Sequence, residues 1–204
     1  NTIKNNSITN IDSSSSPRSV IYIAGYSSES NDIIDNTLTG KSFPTIYFIP
    51  DGSNISSNNN ISNNIIISTD YRGIHLTHVV NSTIKGNTME TVGITFNINQ
   101  NSTNNLIENN IFNSSGGSAI KIWTPSTQNN NFTNNTLISH SSYYDLDIDD
   151  PETDGNYFID QPIGSYSIPG SGSILYFKDS IHGEIRFLEA INGSGDNLSA
   201  DIKI

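Results

Sequence analysis

The sequence predicts an all-β solenoid in which short parallel strands coil around an apolar core, with one turn per repeat. Two observations lead to this prediction. A unit with Asn three residues after an apolar residue, usually followed by another apolar residue two positions later, recurs at steps of roughly 23 to 30 residues. A second unit with the pattern apolar-x-apolar keeps the same period. A fixed period in this range is typical of stacked supersecondary units.

The first unit places the same polar residue in every repeat. Asn side chains stacked about 4.8 Å apart can pass hydrogen bonds from layer to layer. Asn also tolerates the left-handed backbone conformation that a corner between two strands requires. We therefore expect a ladder along the molecule, with the flanking Ile and Phe side chains stacked inside. Its residues are Asn6, Asn36, Asn64, Asn87, Asn110, Asn135 and Gln161.

The second unit predicts a strand with one buried face, because alternate residues of a strand point to opposite sides. Gly or Ala precedes several of these strands, which suits a corner where a Cβ would crowd the next layer. The outward side chains form a stripe that could stack on sugar rings or on another subunit. Alternatively, they are simply good strand formers. The stripe is Tyr22, Tyr47, His75, Thr95, Lys121, Asp147 and Tyr176.

The alternation of Ile-x-x-Asn-x-Ile with Gly-Ile-x-Phe resembles the repeats of secreted right-handed parallel β-helix proteins. These include pectate-lyase-like folds, carbohydrate-binding and sugar-hydrolase repeat domains, and surface proteins of archaea and bacteria. The resemblance covers residues 1–177 and implies a right-handed parallel β-helix solenoid of about seven coils. It is specific for the fold but not for the activity, because the family contains lyases, hydrolases, adhesins and structural repeats.

The two ends of the chain differ from the repeats between them. Residues 181–188 and 200–204 alternate apolar and polar side chains around a turn at 192–197. This pattern predicts that residues 178–204 form a C-terminal β-hairpin cap or the first strands of a following module. Residue 1 already lies inside a repeat unit, so we expect either that the natural N-terminal cap is missing or that another copy or domain covers the open N-terminal end.

Composition narrows the range of partners. The 204 residues carry a formal net charge of −11 and the pI is near 4.4, which argues against nucleic acid. The sequence has no run of apolar residues long enough to span a membrane. The absence of cysteine excludes a disulfide framework. We expect glycans or neighbouring copies as partners, joined end to end or laterally.

The resemblance and the polar composition predict an extracellular or cell-surface location. Ten Asn-x-Ser/Thr sequons fit a glycoprotein. The number is only slightly above chance in a chain so rich in Asn, Ser and Thr. The candidate glycosylation sites are Asn54, Asn60, Asn81, Asn101, Asn113 and Asn131, and the remaining sequons are at Asn5, Asn134, Asn192 and Asn197.

The densest acidic segment, residues 145–156, is a candidate calcium site. Asp150, Glu152 and Asp154, followed by Gly155, are spaced like the carboxylates of calcium-binding loops. Gln161 occupies the position of the closing Glu, so the full loop pattern is absent. The alternative is a solvated acidic turn. We therefore expect no cofactor, with Ca²⁺ as the alternative.

The same segment supplies the candidate catalytic residues. The hydrolases that the chain resembles use clustered Asp residues on one outward sheet, and here these would be Asp147, Asp149 and Asp150. Such carboxylates need environments that separate their pKa values. His75 and Lys121 would lie on the same face as these Asp residues. His75 would be about three layers from Asp147, and Lys121 about one layer. His75 and His78 fall on opposite faces, which argues against zinc.

Taken together, these patterns favour a non-catalytic structural or interaction module of a secreted or cell-surface protein. Its function would involve glycan binding or self-association. One alternative is a calcium-assisted polysaccharide hydrolase or lyase that uses the acidic segment. Another is a periplasmic accessory factor that handles a metal or a sugar-linked ligand. The solitary Trp123, beside Pro125, is either a sugar platform or a packed corner, and we expect the corner.

Overall fold

The computed structural model describes most of the chain, and all regular structure in the described residues is β-strand. The strands form three faces of a solenoid, and each turn of the chain visits the faces in order. The described residues are 1–10, 18–25, 28–124, 126–140, 142–149, 155–161, 163, 166–167, 174–179 and 184–189.

Strands are numbered in chain order. The first face contains β1 (Thr2–Lys4), β4 (Asp32–Ile34), β8 (Asn60–Ser62), β12 (Thr83–Lys85), β15 (Leu106–Glu108), β18 (Asn131–Thr133), β21 (Asn156–Ile159), β23 (Ile174–Asp179) and β24 (Glu184–Glu189). The second face contains β2 (Ser7–Thr9), β5 (Thr37–Gly40), β9 (Ile65–Ser68), β13 (Thr88–Thr91), β16 (Ile111–Ser114) and β19 (Thr136–Ile138).

The third face contains β3 (Ile21–Gly25), β6 (Ile46–Pro50), β10 (Ile74–Thr77), β14 (Phe96–Asn99), β17 (Ile120–Ile122), β20 (Leu146–Ile148) and β22 (Tyr166–Ser167). A small extra sheet joins β7 (Ser56–Ser57) to β11 (Val79–Val80). The fold is thus the predicted all-β parallel solenoid. Among the described residues, six turns place a strand on each of the three faces and a further turn contributes β21 and β22, close to the expected seven coils.

The core consists of apolar columns in register. On the first face Ile61 pairs with Ile33 on one side and Ile84 on the other. All three are almost fully buried. Phe side chains fill the later coils, where Phe132 and Phe158 stack with their ring centroids 4.9 Å apart. A one-residue slip would turn these side chains outward, so burial fixes the register.

The predicted Asn ladder is confirmed. Each ladder Nδ2 donates to the side-chain oxygen of the next coil, and the donor–acceptor distances range from 2.7 to 3.2 Å. Each side-chain oxygen up to Asn135 also accepts from the backbone N–H of the preceding ladder residue. The column runs through Asn6, Asn36, Asn64, Asn87, Asn110, Asn135 and Gln161.

The left-handed corner residue is not the ladder Asn, as expected from sequence, but the residue before it. Positive φ occurs at Asn63 and Asn109, one residue ahead of Asn64 and Asn110, and at Gly86 ahead of Asn87. Each corner therefore depends on two adjacent residues with different roles. The first turns the chain, and the second turns its amide into the core to join the ladder.

A second buried column, which sequence reasoning missed, stands at the other end of the first-face strands. Asn105 Nδ2 donates to Asn130 Oδ1 at 2.9 Å, and Asn130 Nδ2 donates to Asn156 Oδ1 at 3.0 Å. Each member lies two residues before the inward apolar residue of a first-face strand, a periodicity that could have revealed it. The column comprises Asn1, Asn31, Asn59, Ser82, Asn105, Asn130 and Asn156.

The C-terminal strands differ from the prediction in one respect. Residues 174–177 were assigned to the third face, but β23 continues the first face, where Phe177 pairs with Phe158. β24 then pairs antiparallel with β23. A hairpin thus closes the described part of the first face. The predicted turn at 192–197 and strand at 200–204 lie outside the described residues.

Candidate functional site

The outward side chains of the third face form the predicted stripe with two corrections. Tyr22, Tyr47 and His75 lie in neighbouring layers, and Lys121 pairs with Asp147. The assignment of Thr95 to the stripe is wrong. Thr95 is a buried corner residue, and its backbone oxygen accepts a hydrogen bond from the Ile74 N–H.

Asn97 occupies the position assigned to Thr95, between His75 and Lys121. The shift is two residues, because Phe96 and Ile98 rather than Ile94 and Phe96 fill the core. The assignment of Tyr176 to the stripe is also wrong, because β23 belongs to the first face. On the third face, Ser167 pairs with Asp147 in the next layer.

An ion-pair cluster lies near the C-terminal end of this face. Lys121 Nζ is 2.9 Å from Asp147 Oδ2 and 2.9 Å from Asp149 Oδ2. Partial burial lowers the pKa of Lys121, but the hydrogen bonds and charges of the two carboxylates outweigh burial and raise it. Lys121 is therefore held as an ammonium ion between two carboxylates. Asp145 is buried and accepts from Ser139 Oγ at 2.9 Å.

His75 is buried in its neutral form. Its ring stacks on Tyr47 with centroids 4.8 Å apart. Arg72 Nη1 lies 3.2 Å from His75 Nδ1. Since a guanidinium can only donate, Nδ1 accepts and the ring proton sits on Nε2. Burial, reinforced by the charge of Arg72, lowers the pKa of His75 to about 3.

Arg72 is held by aromatic rings rather than by a carboxylate. Its guanidinium carbon lies 4.8 Å from the centroid of Tyr71 and 5.2 Å from that of Trp123. Lys121 Nζ also approaches the Trp123 ring, at 5.6 Å. Trp123 is 41% exposed, so the expectation of a packed corner is wrong. Its ring is partly exposed and is approached by two cations.

A groove of about 220 Å³ runs beside this cluster along the corner between the second and third faces. Glycines form part of its wall, because successive coils approach closely there. A Cβ on Gly93 would lie 2.5 Å from the backbone oxygen of Tyr71. The lining residues are Tyr71, Arg72, Gly93, Ile94, Gly116, Gly117, Ser118, Lys121, Tyr143 and Asp147.

This arrangement combines exposed aromatic rings with hydrogen-bonding groups fixed on rigid strands. Open grooves of this composition suit ligands that present both an apolar face and hydroxyl groups. Lys121 and Asp147 were identified from sequence. Tyr71 and Tyr143 were not, because they lie outside the repeated motifs. Arg72 was not identified either, because it precedes the third-face strand motif.

The residues of the other candidate sites lie partly outside the described part of the chain. The part of the chain that is described contains no cluster of three His, Asp or Glu side chains able to hold a metal ion. The predicted calcium residues Asp150, Glu152 and Asp154 lie outside that part, as does Asp150 in its catalytic assignment. Among the candidate sequons, Asn81 and Asn101 are exposed, whereas Asn54, Asn60, Asn113 and Asn131 are half-buried.

A search of the described residues for helices that are long and apolar enough to cross a membrane found none.

Comparison with known proteins gave one match. A family profile described as a right-handed β-helix region matches residues 1–179. Neither the curated proteins nor the solved structures gave a significant match.

Proposed function

The chain belongs to the right-handed β-helix family, and on this basis we propose that it is a rigid, non-catalytic module that binds a glycan along the groove. The observation that supports this proposal most strongly is the pairing of exposed aromatic rings with fixed polar groups. Tyr71 and Tyr143 line the groove, are partly exposed and offer platforms for sugar rings. Ser118, Lys121 and Asp147 offer donors and acceptors beside them.

The charge arrangement favours binding over hydrolysis. A retaining or inverting glycosidase needs one carboxyl group that stays protonated and one that is ionised. Here both candidate carboxylates, Asp147 and Asp149, contact the same ammonium ion, so the structure gives them similar and not contrasting surroundings. The only described histidine on this face is neutral and held by Arg72. These groups are suited to orient hydroxyls and not to transfer protons.

We also propose that the module works outside the cell or at its surface. A long, stiff stack of coils with a polar exterior and ten sequons is suited to display a binding face away from the cell. Recovery of the native protein with glycans on Asn81 or Asn101 would support this location.

The experiment that tests glycan binding compares the wild type with a Tyr71→Ala/Tyr143→Ala double variant. Isothermal titration would use neutral and acidic oligosaccharides of one to six residues. The double variant should lose at least about tenfold in affinity, because each aromatic ring contributes a stacking surface worth roughly 0.5–1.5 kcal/mol. Tyr22→Ala, an exposed tyrosine that does not line the groove, serves as the matched control.

The same samples separate binding from catalysis. Reducing-end release would be measured with and without Ca²⁺. Turnover by the wild type that is lost in Asp149→Ala would replace the binding proposal by the hydrolase or lyase alternative. Failure of the wild type to bind any oligosaccharide would refute the proposal.

A further inference from the structure

Asn97 is an unusual residue for the outward side of a strand. It lies between His75 and Lys121 on the third face, yet none of its surface is exposed. Neither Nδ2 nor Oδ1 has a hydrogen-bond partner. A buried amide without partners destabilises the folded state, because its polar groups lose their hydrogen bonds to water and gain none in return.

The side chain of Arg72 reaches across the strand that carries Asn97. Arg72 lies two residues before β10, and Trp123 follows β17 by one residue. The strand β14, which carries Asn97, lies between β10 and β17. The contact between Arg72 and the Trp123 ring at 5.2 Å therefore crosses β14 diagonally above Asn97. The guanidinium is held there by aromatic rings and by His75, with no carboxylate partner in the described part of the chain.

We propose that Asn97 is the floor of a second subsite of the glycan groove, covered by Arg72 in this structure. When Arg72 leaves Trp123, the ring becomes a free platform directly beside the amide. A sugar residue that stacks on Trp123 places two vicinal hydroxyls on Asn97, one accepting from Nδ2 and the other donating to Oδ1. This inference rests on the proposed function, because the groove must first hold the glycan.

The chemistry of the subsite selects a neutral sugar. A carboxylate or sulfate can only accept hydrogen bonds, so it would leave Asn97 Oδ1 facing a negative oxygen. Lys121, the nearest ammonium, is already compensated by Asp147 and Asp149. The formal net charge of −11 adds a general repulsion of polyanions. A pair of hydroxyls, by contrast, matches the one donor edge and the one acceptor that the amide presents.

The first test needs no ligand. Asn97→Val removes the two unsatisfied groups and places a good strand former on β14. If Asn97 is kept for binding, its replacement should raise the melting temperature by about 4 °C. The matched control is Asn113→Val, an Asn at an outward position of β16, which corrects for strand propensity. A fall in melting temperature for Asn97→Val alone would show a structural role and overturn the proposal.

The second test measures affinity against chain length with β-1,4-linked oligomers of glucose, mannose and galactose. Disaccharides that fill only the groove should bind wild type and Asn97→Val equally. Hexasaccharides should bind Asn97→Val about tenfold more weakly, as expected for a lost pair of hydrogen bonds. Because Trp123 is the only tryptophan of the chain, its fluorescence should change on binding the hexasaccharide and not the disaccharide.

Truncation of Arg72, the side chain that contacts Trp123, provides an independent measurement of the accessibility of that ring. Arg72→Ala should increase acrylamide quenching of Trp123 in the free protein, whereas Arg18→Ala, an exposed arginine elsewhere, should not. Equal hexasaccharide affinity of wild type and Asn97→Val would overturn the subsite while leaving glycan binding in place. Binding restricted to acidic oligomers would overturn the neutral specificity. No binding by the wild type at all would refute the proposed function and the subsite with it.

Discussion

His75 illustrates how a single buried side chain acquires an unusual charge state. It stacks on Tyr47, accepts a hydrogen bond from Arg72 and is 6% exposed. Protonation would place a second positive charge against the guanidinium in a poorly solvated position. The residue therefore stays neutral far below the pH at which a free histidine is half protonated.

The stability of the protein should consequently depend on pH through His75. Its pKa is about 3 in the folded chain and about 6.5 when unfolded. The unfolded state therefore binds a proton first, and stability is lost as the pH falls from about 6.5 towards 3. Urea unfolding should show a loss of about 1.4 kcal/mol per pH unit between pH 6 and 4.

The variant His75→Phe keeps the ring stack and removes this titration. The difference between wild type and variant isolates the histidine from the carboxylates, which titrate in both. His140→Phe, at an exposed position, is the matched control. An identical pH slope for wild type and His75→Phe would contradict the burial of a neutral imidazole.

At the scale of elements, the corners and their ladders hold neighbouring strands together. Asn87 shows the number of bonds involved. Its Oδ1 accepts from the backbone N–H and Nδ2 of Asn64. Its Nδ2 donates to Asn110 Oδ1 and to the backbone oxygen of Ile61. One side chain thus connects three successive coils of the solenoid.

Truncation of this side chain should be costly. Asn87→Ala leaves the buried donors of Asn64 without their acceptor, and each unsatisfied group costs about 1–3 kcal/mol. We expect a loss of at least about 3 kcal/mol in the free energy of unfolding, measured with urea. Asn113→Ala, outside the ladder, should change stability by less than about 0.5 kcal/mol. A cost for Asn87→Ala equal to that of the control would contradict the ladder.

The strand pattern shows what sequence could predict at this scale and what it could not. The ladder was predictable because a buried amide needs a partner in every layer, which imposes Asn at a fixed period. The position of Thr95 could not be predicted, because a shift of the strand by two residues preserves the alternation of apolar and polar side chains. Only the packing of Phe96 against the core distinguishes the two registers, and that packing depends on the neighbouring coils.

At the scale of the whole molecule, the candidate site depends on contacts between residues that are remote in sequence. Arg72 and Trp123 belong to different coils, and they meet only because the intervening coil is in register. Repeats predict which residues share a layer but not how a long side chain crosses one. For this reason the aromatic and charged groups could be predicted as a stripe, whereas the covered amide of Asn97 could not.

A stack of coils should also differ in stability along its length. Central strands such as β8, β12 and β15 pair on both sides, whereas β1, β2 and β3 pair on one side only. Ile3 and Ile8 are half-buried, while Ile33 and Leu38 are fully buried. Hydrogen–deuterium exchange should therefore be slowest for residues 60–114 and fastest for residues 1–10. Equal protection of the first coil and the central coils would contradict this gradient.

The spacing of the ladder residues has a consequence for the evolution of length in this fold. Asn64, Asn87 and Asn110 are separated by equal intervals of 23 residues. A segment of that size begins and ends on the same kind of corner, so its duplication or deletion joins two matching surfaces. Each such event would change the reach of the molecule by one strand spacing, about 4.8 Å. Genetic gain or loss of single segments could thereby adjust the distance between whatever the two ends connect, without redesigning either end.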